Sequence, residues 1–300
     1  MSTRISRRRL SDPVLRRLEL TVLRRLDGLL QGDYAGLVPG PGNDAGDARV
    51  YEPGDDVRRI DWSLTARTNE THVRDSIAER ELEMLIVVDM SESLAFGTAK
   101  ADKRDVARDL AGAFAVLGST SGNRVGALLA VDRPVYVPAR SGQAHAATIL
   151  ATIQRTQSGP GDLTAALRQA RRLARRRGMV VVVSDFLVPD GWQRELQGLA
   201  ARHDVVAVEV VDEREMTMPD VGFVMLEDAE SGRRRAVDTR DPLLRARFAA
   251  SARARRMHLA RAVTTAGADH LPVRTDEDWA VALAQFAVRR RRRRMASGVR

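Results

Sequence analysis

One segment leaves this chain little freedom about its fold. Met84-Leu-Ile-Val-Val88 is a short, nearly continuous apolar run rich in β-branched residues. Such a run reads as a strand covered on both faces, as in a parallel sheet. It stops at Asp89, and Ser91 and Ser93 follow at alternate positions before helical periodicity resumes. Open α/β sheets bind ligands at the carboxyl ends of their strands. Asp89, Ser91 and Ser93 are therefore candidate functional residues by position alone.

The sequence beyond this strand alternates strand and helix. Helices are expected over 100–117, 143–156, 162–177 and 191–201, with strands over 124–131, 180–183 and 205–211 between them. Residues 134–138 read as a short edge strand, because Pro is tolerated at edges. Strands separated by helices of this length predict a doubly wound parallel sheet covered on both faces. Past residue 212 a hairpin is expected from 222–226 and 233–237, then a long helix over 242–265. A last strand over 270–273 and a last helix over 277–288 follow.

The segment before the strand reads as an extension. Pro13 suits a first helical position, and Leu15, Leu18, Val22, Leu26 and Leu29 form one apolar stripe over 13–30. The stripe is expected to pack on its own domain. Residues 32–48 read as a Gly/Pro loop whose Gly40, Gly42 and Gly46 have the wrong spacing and context for dinucleotide binding. From Arg49 to Arg67, Asp55, Asp56 and Asp61 alternate with Arg58, Arg59 and Arg67 around Ile60 and Trp62. Pro53-Gly54 supplies a turn. The expectation is an ion-pair network locked by a buried Trp62, mainly structural in role.

The organisation expected is thus an extension over 1–83, an α/β domain over 84–288 and a basic tail over 289–300. Six consecutive arginines, Arg289 to Arg294, are expected to fray beyond the last helix, since like charges repel. No apolar run approaches the ~18 residues that span a bilayer. Arginines interrupt the segment after Ser6-Arg7-Arg8-Arg9, so no export signal is read and a cytoplasmic location is expected. Cysteine is absent, which excludes disulfides and thiolate chemistry. The net charge of +9 is carried almost entirely by arginine. It permits a nucleic-acid or anionic-surface partner without indicating one.

A second strand end supplies a second acid, Asp185, and Ser158-Gly-Pro-Gly-Asp-Leu-Thr164 forms a loop between the two in sequence. Carboxylates and hydroxyls are hard ligands suited to Mg²⁺, Mn²⁺ or Ca²⁺. Here the chain resembles the DUF58 family, whose core looks like a von Willebrand factor A domain. Tyr51-Glu-Pro-Gly-Asp-Asp-Val-Arg-Arg-Ile-Asp-Trp62, Ala66-Arg67, Glu79-Arg80-Glu81 and Asp89-x-Ser91-x-Ser93 carry the resemblance. It implies that Asp89, Ser91, Ser93 and Asp185 form a metal-ion-dependent adhesion site, with Mg²⁺ the first choice. The family's loop Thr falls near Gly161, where Asp162 or Thr164 would have to substitute. The resemblance also implies a MoxR-type AAA+ ATPase as companion, and clients gripped through an acidic residue.

Enzymatic activity is not expected. A phosphoryl-accepting Asp89 wants a second Asp two residues on, and Ser91 is there. Gly118-Ser-Thr-Ser-Gly122 is no nucleophile elbow, and the five His residues show no ligand or triad spacing. Nucleic acid is the weaker binding alternative, because no aromatic residue is interleaved with the terminal arginines.

Overall fold

The computed structural model describes residues 38, 48–53, 55, 57, 60–74, 82–95, 97, 101–227 and 234–296. The helix expected over 13–30 and the glycines at 40, 42 and 46 lie outside them. So do Gly54, Asp56, Arg58, Arg59 and the Glu79–Glu81 motif.

The expected sheet is present. Strands β3 (Glu83–Asp89), β4 (Arg124–Ala130), β5 (Val135–Arg140), β6 (Gly178–Ser184), β7 (Asp204–Val211) and β10 (Asp269–Arg274) form one sheet in the order β10-β7-β6-β3-β4-β5. All neighbours are parallel except β5, which runs antiparallel to β4 at the edge. Renumbered within the sheet, this is the doubly wound order 3-2-1-4-5-6. β3 lies in the middle, with Val87 opposite Leu128 on one side and Val182 on the other.

Period-2 alternation divides β3 between two cores. Met84, Ile86 and Val88 pack with α2 (Lys103–Thr120), α3 (Gln143–Arg155) and α7 (Trp279–Ala296) through Leu110, Phe114, Ile149 and Leu283. Leu85 and Val87 face the other way, with Leu167 of α4 (Leu163–Leu173), Leu196 of α5 (Trp192–Ala200) and Val263 of α6 (Pro242–Thr265). β6 begins at a glycine because a Cβ at Gly178 would stand 1.9 Å from the Glu83 carbonyl oxygen. The hairpin of β8 (Phe223–Glu227) and β9 (Arg234–Asp238) forms a separate sheet. Among the described residues no helix is long and apolar enough to cross a membrane.

Two expectations are corrected here. Trp62 is 70% exposed, not buried. The segment around it forms β1 (Ala48–Val50), α1 (Trp62–Thr68) and β2 (His72–Arg74), with β1 and β2 antiparallel. Asp61 caps α1, accepting from the Ser63 and Leu64 amides at 3.0 and 3.1 Å, so Trp62 takes the first helical position. No residue of α1 is buried. Asp55 closes the Pro53 turn by accepting from the Glu52 amide, and Arg67 donates to the Ser63 carbonyl. Tyr51 bonds the Thr71 carbonyl, and Ile60 bridges to Val73. Asp61 thus caps a helix and Asp55 closes a turn.

The basic tail is the second correction. α7 continues through the arginine run to Ala296. Arg290 is 1% exposed and bonds Asp269 Oδ2 at 2.6 Å and Asp204; Arg294 bonds Asp204 as well. Arg290 is buried because it continues the inward stripe of Trp279, Leu283, Phe286 and Ala287.

Candidate functional site

β3 delivers Asp89 to the carboxyl edge, and the backbone pins the residues after it. The Met90 amide donates to the Ala130 carbonyl at the end of β4, while the Met90 carbonyl accepts from the Gly159 amide, both at 3.2 Å. The β3 exit is therefore held between β4 and the 158–162 loop. A 3₁₀ turn over Glu92–Ala95 then brings Ser93 back beside Ser91, and their hydroxyl oxygens stand 3.0 Å apart.

Asp89 is 1% exposed, so it lies in the core and not on the rim. One carboxylate oxygen accepts from the Ser91 amide at 2.9 Å, the other from the Ser184 hydroxyl at 2.6 Å. Burial, and then the charge of Asp185, push its carboxyl above the ordinary range; the Ser184 and Ser91 bonds offset this in part. This carboxylate is short of positive charge.

Asp185 faces a different partner. Its Oδ2 accepts from Lys103 Nζ at 2.6 Å, and Lys103 also reaches Glu215 Oε1 at 2.5 Å. Lys103 and Asp185 are both almost wholly buried. The turn presenting Asp185 is strained: Phe186 has φ +53°, costly for a bulky residue. Three contacts hold it. The Ser184 hydroxyl oxygen accepts from the Phe186 amide, Asp185 Oδ1 accepts from the Leu187 amide, and the Phe186 ring packs 5.0 Å from Trp192.

The 158–162 loop closes one side of the site. Gly161 has a backbone reason: a Cβ there would lie 2.8 Å from the Ala130 carbonyl oxygen. The chain cannot carry a threonine at this place without shifting. Asp162 caps α4 by accepting from the Ala165 amide at 2.9 Å. Thr164 lines a cavity of about 550 Å³ together with Ser91, Glu92, Gly161, Asp162 and Asp190. Among the described residues, no three His, Cys, Asp or Glu side chains stand together as a metal-holding group.

The donor geometry sorts the six candidate ligands. Two ligands at right angles on an ion with ~2.1 Å bonds lie ~3.0 Å apart, which is the Ser91–Ser93 spacing. The same 3.0 Å is an ordinary hydrogen bond between the two hydroxyls, and both oxygens of Asp89 already accept hydrogen bonds. Asp185 is engaged by Lys103, Asp162 by its helix cap, and Thr164 lies on the cavity wall.

Sequence reasoning missed Lys103, Glu215 and Ser184. One signal for Lys103 was available. Only two of the 49 basic residues are lysine, Lys100 and Lys103. A compact ammonium in an arginine-built chain marks a place where a planar fork does not serve.

Known proteins were compared with the chain. The Uncharacterized protein Rv1480 of Mycobacterium tuberculosis is 51% identical over 287 residues, covering 94% of this chain and 90% of that protein. An uncharacterized protein of Mycobacterium avium is 47% identical over 164 residues, covering 53% of this chain and 96% of its own length. Among solved structures, BatB from Bacteroides thetaiotaomicron superposes with a TM-score of 0.46 at 14% identity, over 70% of this chain and 99% of its own. A von Willebrand factor type A protein from Catenulispora acidiphila gives 0.42 at 12% identity, over 74% and 43%. The family model described as "Protein of unknown function DUF58" matches residues 47–258. By that match, and by half-identity along nearly its whole length to the mycobacterial protein, the chain belongs to the DUF58 family.

Proposed function

We propose that this chain is a non-catalytic protein-interaction module working in the cytoplasm, with its binding face at the carboxyl edge of β3. The observation that carries this reading is the hydroxyl pair of Ser91 and Ser93, 3.0 Å apart beside buried Asp89, with Ser91 on the wall of a cavity. Asp89, Ser91 and Ser93 would hold a divalent cation, Mg²⁺ first. When bound, the cation would supply an electrophilic position for a client's carboxylate. Glu92, Asp162 and Asp190 at the cavity repel an acidic client when no such cation is present. Asp89 lacks the second Asp two residues on that a phosphoryl acceptor wants, since Ser91 stands there, and its two oxygens accept from Ser184 and the Ser91 amide. That supports binding over catalysis.

The companion we propose is a MoxR-type AAA+ ATPase, with this chain presenting acidic clients to it. Client affinity then rises with metal by the factor that metal affinity rises with client. The test is retention of a MoxR-type ATPase from the same organism on the immobilised chain, in Mg²⁺ and in EDTA, for wild type and Asp89→Asn. The variant keeps hydrogen-bonding capacity at Asp89 and loses its charge. Retention by wild type in Mg²⁺ alone is expected; equal retention in both conditions contradicts the reading.

A weaker alternative is an anionic surface. Arg168, Arg171, Arg172 and Arg202 line one cavity, although Glu195 already binds Arg168 and Arg171. Steeply salt-dependent retention on DNA would favour it.

A further inference from the structure

Three separate elements converge on one ammonium. Lys103 opens α2, Asp185 follows β6, and Glu215 ends a 3₁₀ turn over Glu213–Glu215 after β7. The Lys103 side chain is 1% exposed, with Asp185 Oδ2 at 2.6 Å and Glu215 Oε1 at 2.5 Å. Glu215 is fixed in turn, since its other oxygen accepts from the Asp212 amide at 3.3 Å.

Nothing in α2 itself calls for a cation here. The amino end of a helix disfavours positive charge, and Asp102 gives α2 no side-chain cap. The ammonium is placed for the two acids. Burial alone would push it towards neutrality, but Asp185 and Glu215 outweigh burial and the net shift is upward.

We propose that Lys103 is a cation supplied by the chain itself, which holds Asp185 and Glu215 in place of a metal contact. A divalent ion is then confined to Asp89, Ser91 and Ser93, binds weakly there, and is not needed for folding. The ion half of this statement rests on the reading under Proposed function; the Lys103 half stands on the geometry alone. The arrangement explains how Asp185 stays buried beside Asp89 when no third ligand comes from Gly161.

The test uses chelator-stripped full-length protein with Mn²⁺ and Mg²⁺ alone as probes. Wild type, Lys103→Met and the double variant Lys103→Met/Glu215→Gln are compared by calorimetry and thermal unfolding. The double variant carries the same net charge at the cluster as wild type, so it separates the ammonium's contact from its charge. Wild type should melt at the same temperature with and without EDTA. Lys103→Met should melt lower in EDTA and recover with Mn²⁺. Mn²⁺ affinity should rise by roughly tenfold or more in both variants, because a nearby positive charge or a competing contact is gone. If Lys103→Met does not fold, the double variant decides. Unchanged Mn²⁺ affinity in the variants overturns the proposal, as does a wild type that loses its melting temperature in EDTA. A wild type that binds no ion while the variants do upholds Lys103 as the resident cation and removes the metal-dependent grip proposed above.

Discussion

At the amino ends of β7 and β10, Asp204 and Asp269 hold the buried guanidinium of Arg290, and Arg294 adds a second positive charge. At the carboxyl ends of β3 and β6, Asp185 shares the single ammonium of Lys103 with Glu215, and the charge of Asp185 reaches Asp89, whose oxygens accept from Ser184 and the Ser91 amide. Both ends bury a cation at 1% exposure. The first set balances two arginines against two acids. The second sets one lysine against two acids, Asp185 and Glu215, and leaves an excess of negative charge close to Asp89. Balanced burial is a brace, and imbalance beside the paired Ser91 and Ser93 hydroxyls is the setting of the proposed cation site.

The largest predicted effect lies at the brace. Arg290→Met should cost about 3–5 kcal/mol, because it removes a buried guanidinium from Asp269 and leaves Asp204 with Arg294, and chemical denaturation would measure it. Divalent ions should not restore it. Restoration by Mg²⁺ would mean that the two ends are alike and the comparison is wrong. Removing residues 290–300 should be equally damaging, which reverses the expectation of a frayed tail.

Lys103→Met should fall in the same range in EDTA, about 3–5 kcal/mol, for the same reason. Here Mn²⁺ should recover part of the loss. Measuring both variants with and without metal turns the contrast between brace and site into one difference.

Trp62→Ala should change stability by no more than about 0.5 kcal/mol, as surface substitutions do. Thermal unfolding suffices to check it. A loss of several kcal/mol would show that exposed Trp62 packs against residues outside the described set.

The smallest effect concerns pH. Hydrogen bonding from Arg171, with further help from Arg168 against an opposing push from burial, holds Glu195 below its ordinary 4.5. A depressed acid contributes stability above its unfolded value and loses it as pH falls through its folded value. Glu195→Gln should therefore destabilise at neutral pH and converge with wild type in acid. Parallel stability curves from pH 7 down to pH 3 would show that the bridge between α4 and α5 contributes nothing.

These contrasts also explain what could be read beforehand. β3 was legible because a double-faced strand has no polar residue to confuse it, and Asp89 was legible because the apolar run ends there. The whole sheet, including the edge strand around Pro138, followed from strand–helix alternation. Lys103 was not legible as a site residue, because a lysine in a first helical turn reads as solvated. Its partners lie 82 and 112 residues away in sequence. Arg290 was hidden in a run that reads as a tail, although it sits at helical spacing from Phe286 and Leu283. Trp62 misled because an aromatic among balanced charges suggests an anchor, whereas the Asp61 cap turns it outward. Burial of Asp89 was equally invisible: a strand end can be rim or core, and the packing of β4 and the 158–162 loop decides.

The central claim is that Asp89, Ser91 and Ser93 together hold a divalent ion at the carboxyl edge. Mn²⁺ titrated calorimetrically into chelator-stripped wild type, Asp89→Asn and Ser91→Ala/Ser93→Ala tests it most directly, with folding of each checked by thermal unfolding. One weak site in the wild type, lost in both folded variants, is the predicted result. No binding in wild type, or the same isotherm in all three, would contradict it.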